Sequence, residues 1–224
     1  MKKPVFDQAA AEYDSWYTTE LGQAVDTVEN KLIQAFFTPQ GPNVLEVGCG
    51  TGLYTSRLVE KEFRVTALDV SVRMMEKAKE RLKHKGFEVD WLHADIHEIL
   101  PELGTYDGIL SVTAFEFIPN PEKILSELYT HLNPGGCLVI GVIAGNSVWS
   151  DLYSQSVQNN PESVFATAKF YTPEDMKGWK VGGTLEIGSA LYFPPQAKSL
   201  NEALLLEEEK RSNPGFIVGR WVKS

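Results

Sequence analysis

The sequence predicts an α/β doubly wound core, and three observations carry that expectation. From Val44 onward, short β-rich runs alternate with helix-length amphipathic stretches, the pattern of βαβ units feeding a parallel sheet. The first of these runs ends directly in three alternate glycines, Gly48, Gly50 and Gly52, which open a helix. Everything before it has helical period, so the core begins behind a helical preface.

Phe6, Ala9, Ala10, Tyr13, Trp16 and Tyr17 recur at helical spacing and predict one amphipathic helix with an aromatic face. That face serves either as core packing or as a lid over a ligand. A second helix runs through Leu21, Val25, Val28, Leu32, Ala35 and Phe36 and stops at Pro39, Gly41 and Pro42. Core strands are expected at 44–47, 64–68, 88–92, 106–112 and 137–143. Helices fall near 52–62, 72–85 and 122–132, the last halted by Asn133-Pro134-Gly135-Gly136.

The regularity breaks at 146–171, where one amphipathic piece (Val148, Trp149, Leu152, Tyr153, Val157) precedes polar, proline-containing sequence. An insertion of this kind is expected to wall a binding site. Thr172 is placed to cap a short helix, with Pro173 in its first position and Asp175 completing a capping box. Strands at 184–192 and 216–223 flank a helix at 199–210, and Trp221 reads as exposed. With no repeat or linker, residues 1–224 are expected to form a single domain: a helical part at 1–40, a core at 44–143 and the insertion at 146–171.

Composition narrows the function classes. A net charge of −9 in 224 residues disfavours a phosphate-hugging surface and points to a small-molecule partner rather than nucleic acid. The longest apolar run, 137–144, is far too short to span a bilayer, and the acids soon after Lys2 and Lys3 interrupt any secretory leader. Two distant cysteines, Cys49 and Cys137, make neither a redox pair nor a zinc site and suit a reducing cytoplasm. His93 and His97 bracket Asp95 at a strand end without metal-site context, and the lysines and arginine from Lys77 to Lys85 read as a solvated helix face.

The glycines carry the sharpest chemistry. At a strand-to-helix junction they let a ligand approach the backbone, and the helix start offers free N–H groups. A dinucleotide fingerprint would read G-x-G-x-x-G, whereas here G-x-G-x-G follows an acid, Glu46. This spacing resembles motif I of the class I S-adenosylmethionine-dependent methyltransferases. The resemblance continues in Ala67-Leu68-Asp69-Val70-Ser71, Ala94-Asp95-Ile96, Tyr106-Asp107-Gly108-Ile109-Leu110 and Leu132-Asn133-Pro134-Gly135-Gly136. The preface, with Phe6-Asp7, Tyr13-Asp14 and Trp16-Tyr17, is similar to that of the small type 11 and ubiquinone-biosynthesis-like members.

The resemblance implies a Rossmann-like seven-stranded sheet of order 3-2-1-4-5-7-6, strand seven antiparallel, with an N-terminal helical lid. It implies S-adenosyl-L-methionine as cofactor and S-adenosyl-L-homocysteine as product. The cofactor is then expected against Glu46, Gly48, Cys49, Gly50, Gly52, Asp69, Val70, Met74, Asp95, Ile96 and Ser111, with Tyr13 and Tyr17 above it. Within that set, Asp69 would accept the ribose hydroxyls, Met74 would pack on the adenine, and Asp95 would take the adenine amino group, unless Asp95 is a plain helix cap.

Ser111-Val112-Thr113-Ala114 replaces the motif that nucleic-acid amino-methylating relatives use. The acceptor is thus expected to be a small molecule, methylated by in-line displacement beside residues 111–115, the preface and the insertion. No catalytic base is singled out, since Glu116 reads equally as a helix-start acid. A non-catalytic cofactor-binding protein and, on the shared ribose acid, an NAD-dependent oxidoreductase are the alternatives.

Overall fold

The computed structural model describes residues 6–224, so Lys2 and Lys3 lie outside it. In chain order it comprises α1 (Phe6–Ala9), a 3-10 segment (Tyr13–Thr18), α2 (Glu20–Phe36), β1 (Asn43–Val47), α3 (Leu53–Glu60), β2 (Arg64–Asp69), α4 (Val72–Leu82), β3 (Val89–His93) and α5 (Ile96–Ile99). Then follow β4 (Tyr106–Val112), α6 (Pro121–Thr130), β5 (Leu132–Ile143), α7 (Val148–Asn159), α8 (Pro173–Gly178), β6 (Thr184–Ala190), α9 (Leu200–Glu209) and β7 (Phe216–Val222).

The strands form one sheet in the order β3-β2-β1-β4-β5-β7-β6. β1 runs parallel to β2 and β4, with Leu45 opposite Thr66 and Ile109, while β7 is antiparallel to β5 and β6. This is the expected Rossmann-like order. Central strands buried on both faces need near-continuous apolar runs, and β1 supplies Val44, Leu45 and Val47, interrupted only by the buried Glu46. One face packs on Val25, Val28 and Ile33 of α2, Leu58 of α3 and Met75 of α4. The other packs on Ile96 of α5 and Ile124, Leu125 and Leu128 of α6. The order reverses between β1 and β4, which opens a crevice at their C-terminal ends.

Four expectations are corrected by the packing. The single helix through Phe6 to Tyr17 is broken into α1 and the 3-10 segment. There Ser15, Thr18 and Thr19 donate their hydroxyls to the carbonyls of Glu12, Ser15 and Trp16, competing with α-helical bonding. Asn133-Pro134-Gly135-Gly136 ends α6 but lies inside β5, which starts opposite Tyr106 at Leu132 and slips register before Gly108 meets Cys137. Trp221 is only 1% exposed, because strand alternation turns it inward beneath Trp179, 6.5 Å away.

The insertion is largely structural. Trp149 of α7 is fully buried, its Nε1 donating to the Phe193 carbonyl at 2.9 Å. Tyr153 stacks on Phe165 at 4.2 Å, and Phe165 in turn meets Phe117. The insertion therefore stands behind the site's wall rather than in it. Thr172 and Asp175 form the expected capping box at the start of α8.

Candidate active site

A cavity of about 210 Å³ opens at the C-terminal ends of β1, β2 and β4. Gly48, Gly50 and Gly52 carry β1 into α3 with φ of +74°, +53° and +78°, which favour glycine. Their surroundings differ. A Cβ at Gly48 would lie 2.4 Å from that of Ala114, and one at Gly52 would lie 2.8 Å from that of Ala78, whereas at Gly50 nothing stands within 4 Å. Two of the glycines permit close packing, and the middle one leaves room above the loop.

Asp69 holds this loop in place. Its Oδ2 accepts from the Gly50 N–H and its Oδ1 from the Ser71 N–H, both at 2.8 Å. Burial pushes its pKa up, against the pull of these N–H groups. Glu46, buried in β1, accepts from Thr55 Oγ1 at 2.6 Å. Burial raises its pKa to about 8, opposed by Thr55 and assisted by the charge of Asp69. Asp95 caps α5, its Oδ1 taking the His97 N–H at 2.9 Å and lying 2.8 Å from His97 Nδ1. Burial would raise the Asp95 pKa, but these bonds to His97 outweigh it and hold it below the usual carboxylate range.

The preface covers the cavity through polar latches. Asp14 accepts from Thr51 Oγ1 at 2.7 Å and from Arg81 Nη2 at 2.8 Å, and Arg81 Nε donates to the Thr51 carbonyl. Arg81 thus leaves the solvated face expected of the basic run, because the glycine loop and the preface both offer it acceptors. Ser71 Oγ donates to Asp7 at 2.6 Å, and the Phe6 ring meets Phe117 edge-on at 4.8 Å.

Beyond the loop the lining changes to Tyr13, Tyr17, Glu29, Tyr54, Thr113 and Phe117. Thr113 holds φ +50°, an uncommon conformation for a β-branched residue, just past the end of β4 on the cavity wall. Glu29 is 9% exposed, lines the cavity and accepts no hydrogen bond among the described residues. Burial, then the charges of Asp26 and Glu116, raise its pKa well above the usual range, opposed by Arg57.

A family model described as a methyltransferase domain matches residues 44–136. The chain is 27% identical over 203 residues to a ubiquinone biosynthesis O-methyltransferase of Xanthomonas axonopodis pv. citri, covering 84% of each. Both matches support a methyltransferase of the class I S-adenosylmethionine-dependent kind. Its curated relatives include ubiquinone biosynthesis O-methyltransferases, and the matches support S-adenosylmethionine as cofactor with S-adenosylhomocysteine as product.

Two solved structures share the fold. A Thermotoga maritima methyltransferase described as a possible histamine N-methyltransferase has a TM-score of 0.74 at 23% identity, with 98% of this chain and 99% of that one covered. A Haemonchus contortus phosphoethanolamine N-methyltransferase, solved with S-adenosylhomocysteine, has a TM-score of 0.65 at 18% identity, covering 97% of this chain and 57% of that one.

In this chain, Glu46, Gly48, Cys49, Gly50, Asp69, Val70, Met74, Asp95, Ile96, Tyr13 and Tyr17 all line the cavity. Gly52 lies beneath the loop against Ala78, outside the lining. Ser111 is also outside it, because its hydroxyl is turned to the Val47 carbonyl at 2.7 Å, tying β4 to β1. Val112, Thr113 and Ala114 reach the cavity instead. His93 turns its Nε2 to the Val70 carbonyl at 3.1 Å.

Glu116 is not a helix-start acid. It sits in a turn after β4, 2% exposed, with Oε1 accepting from the Ile143 N–H at 2.7 Å and Oε2 buried without a partner. Burial raises its pKa to about 7. Glu29 escaped the sequence reading altogether: in Val28-Glu29-Asn30-Lys31 it looks like any exposed helix acid, and only the position of its neighbour Val28 on the buried face of α2 hints otherwise.

Proposed function

We propose that this chain methylates a small molecule, with the cofactor held at the loop end of the cavity and the acceptor beyond it. The observation that carries this is the open space above Gly50, framed by Asp69 and the buried Glu46. The donor set suits a cationic adenosyl compound. Asp69 keeps lone pairs for vicinal hydroxyls, Asp95 Oδ2 is left for an amino hydrogen, and Glu46 can answer an ammonium group. Val70, Met74 and Ile96 offer apolar surface to a purine, with Gly48 and Cys49 beside them and Tyr13 and Tyr17 over the top.

Bound S-adenosylmethionine supplies a methyl group on a cationic sulfonium, open to displacement by the acceptor's nucleophile. The protein's part is alignment and exclusion of water. Asp69 fixes the loop, the preface latches through Asp14 and Asp7 close the cavity, and Phe6 against Phe117 seals its rim.

A small acceptor suits the net charge of −9 and a cavity lined by five acids and no lysine or arginine. No helix among the described residues is long and apolar enough to cross a membrane. Both cysteines are free and buried, which favours a cytoplasmic setting. We read 1–224 as one domain because a single sheet runs through it. The test is release of S-adenosylhomocysteine with small metabolite mixtures, tRNA and denatured protein as separate acceptors. Turnover with the small molecules is expected. Methyl incorporation into tRNA or protein alone would overturn the small-acceptor assignment, and cofactor binding with no turnover on any of the three would favour the non-catalytic alternative.

A further inference from the structure

The loop end and the far end of the cavity differ in how their carboxylates are satisfied. Glu46, Asp69 and Asp95 each accept hydrogen bonds from the protein, whereas Glu29 accepts none and yet is more than nine-tenths buried. A buried carboxylate without a partner is costly to keep, unless a ligand supplies one. Glu116 adds a second acid behind the wall, its Oε2 also unpartnered. Lys169 of the insertion donates its N–H to the Glu116 carbonyl at 2.8 Å, so the turn that carries this acid is held from outside the cavity.

Of the groups around Glu29, Arg57 is the cation; its Nη2 is paired with Asp26, while its Nη1 is buried without a partner. The others are tyrosines, Tyr13, Tyr17, Tyr54 and Tyr153, whose hydroxyls all feel the charge of Glu29 and are held protonated by burial. Glu29 is carried by α2 and not by the glycine loop or the strand ends that frame the cofactor's end, so it belongs to the acceptor's end. A pocket of aromatic rings around an unpaired carboxylate favours a cation and repels a phenolate, phosphate or carboxylate.

We infer that the acceptor is an amine entering as a cation, with Glu29 as the carboxylate that binds its nitrogen and Glu116 as added negative potential behind it. This rests on the methyltransferase function proposed above. The balance is simple. The ammonium gives one proton to the Glu29 carboxylate, the freed lone pair forms the N–C bond as the C–S bond breaks, and the bonding pair stays on sulfur, leaving a neutral thioether and a methylated ammonium.

The probes are arylalkyl and aliphatic primary amines, each paired with the phenol, alcohol or carboxylate of the same skeleton, in a cofactor-consumption assay. Binding of the same probes to the protein saturated with S-adenosylhomocysteine is followed by saturation-transfer NMR. Expected is binding and methylation on the amine side of the pairs. Glu29→Gln, a buried near-isostere, should keep the melting temperature and S-adenosylhomocysteine affinity while amine turnover falls about a hundredfold and the amine's NMR signal is lost. Glu29→Asp should restore part of both.

Methylation confined to phenols, alcohols or carboxylates, no amine bound or methylated by a protein that still binds the cofactor, or unchanged amine turnover in Glu29→Gln would each overturn the inference. Failure to bind the cofactor at all would instead overturn the function on which it rests.

Discussion

The two ends of the cavity are built on opposite principles. At the loop end every acid is tied into the backbone or a neighbouring side chain, so the site is shaped before a ligand arrives. At the far end, Glu29 faces the cavity and Glu116 Oε2 is buried without a donor, among rings that pack on one another, Tyr13 on Tyr17 and Phe117 on Phe165. The contrast teaches where this fold keeps constant chemistry and where it leaves chemistry to be completed by the acceptor.

The largest effect that would break the contrast comes from the loop. Gly48→Ala places a methyl group 2.4 Å from the Ala114 Cβ at positive φ, and should lower both the melting temperature and cofactor affinity. Gly50→Ala faces open space, so it should cost only about 1 kcal/mol of stability, from backbone strain, while its methyl group occupies the cavity and weakens cofactor binding at least as much. Thermal melts and calorimetry on both variants check this. Equal melting losses would mean that the space above Gly50 is not open.

A smaller effect is read through pH. The Glu46 pKa of about 8 lies above its unfolded value, so the free protein gains stability from it below the unfolded pKa and loses that gain as pH rises through about 8. The ammonium group of bound S-adenosylhomocysteine, placed against Glu46, reverses the preference and drives proton release. Affinity for S-adenosylhomocysteine should therefore strengthen from pH 6 to pH 8, by up to about tenfold per unit, and level off above. Glu46→Gln should flatten that slope, and calorimetry in buffers of different ionisation heat should count the released proton.

The smallest effect concerns the cover. Asp14→Asn weakens the charged contact with Arg81, which is partly exposed and worth about 1 kcal/mol at most. Cofactor dissociation, followed by stopped flow, should quicken a fewfold with little change in melting temperature.

The loop end was legible in the sequence because its demands are local: an acid, three glycines and a second acid at a strand end occupy short contiguous runs that survive any change of partner. The alternation of strands and helices gave the core for the same reason. The far end was not legible, since Glu29, Glu116 and the tyrosines come from separate elements and acquire meaning only when α2 packs beside α3 and the turn after β4. Trp221 and Trp149 show the same limit, their burial being set by β7's pairing and by Phe193 rather than by neighbours in the chain. Ser111 erred by one residue: strand alternation turns it to Val47 and gives the cavity Val112 and Thr113.

The most direct test of the account is a calorimetric titration of the wild-type protein and Asp69→Ala with S-adenosylhomocysteine, with NAD as control. The account predicts tight binding of S-adenosylhomocysteine, none of NAD, and a loss of about a hundredfold in Asp69→Ala, where both the ribose acceptor and the anchor of the Gly50 N–H are gone. Binding of NAD, or an unchanged affinity in Asp69→Ala, would contradict it.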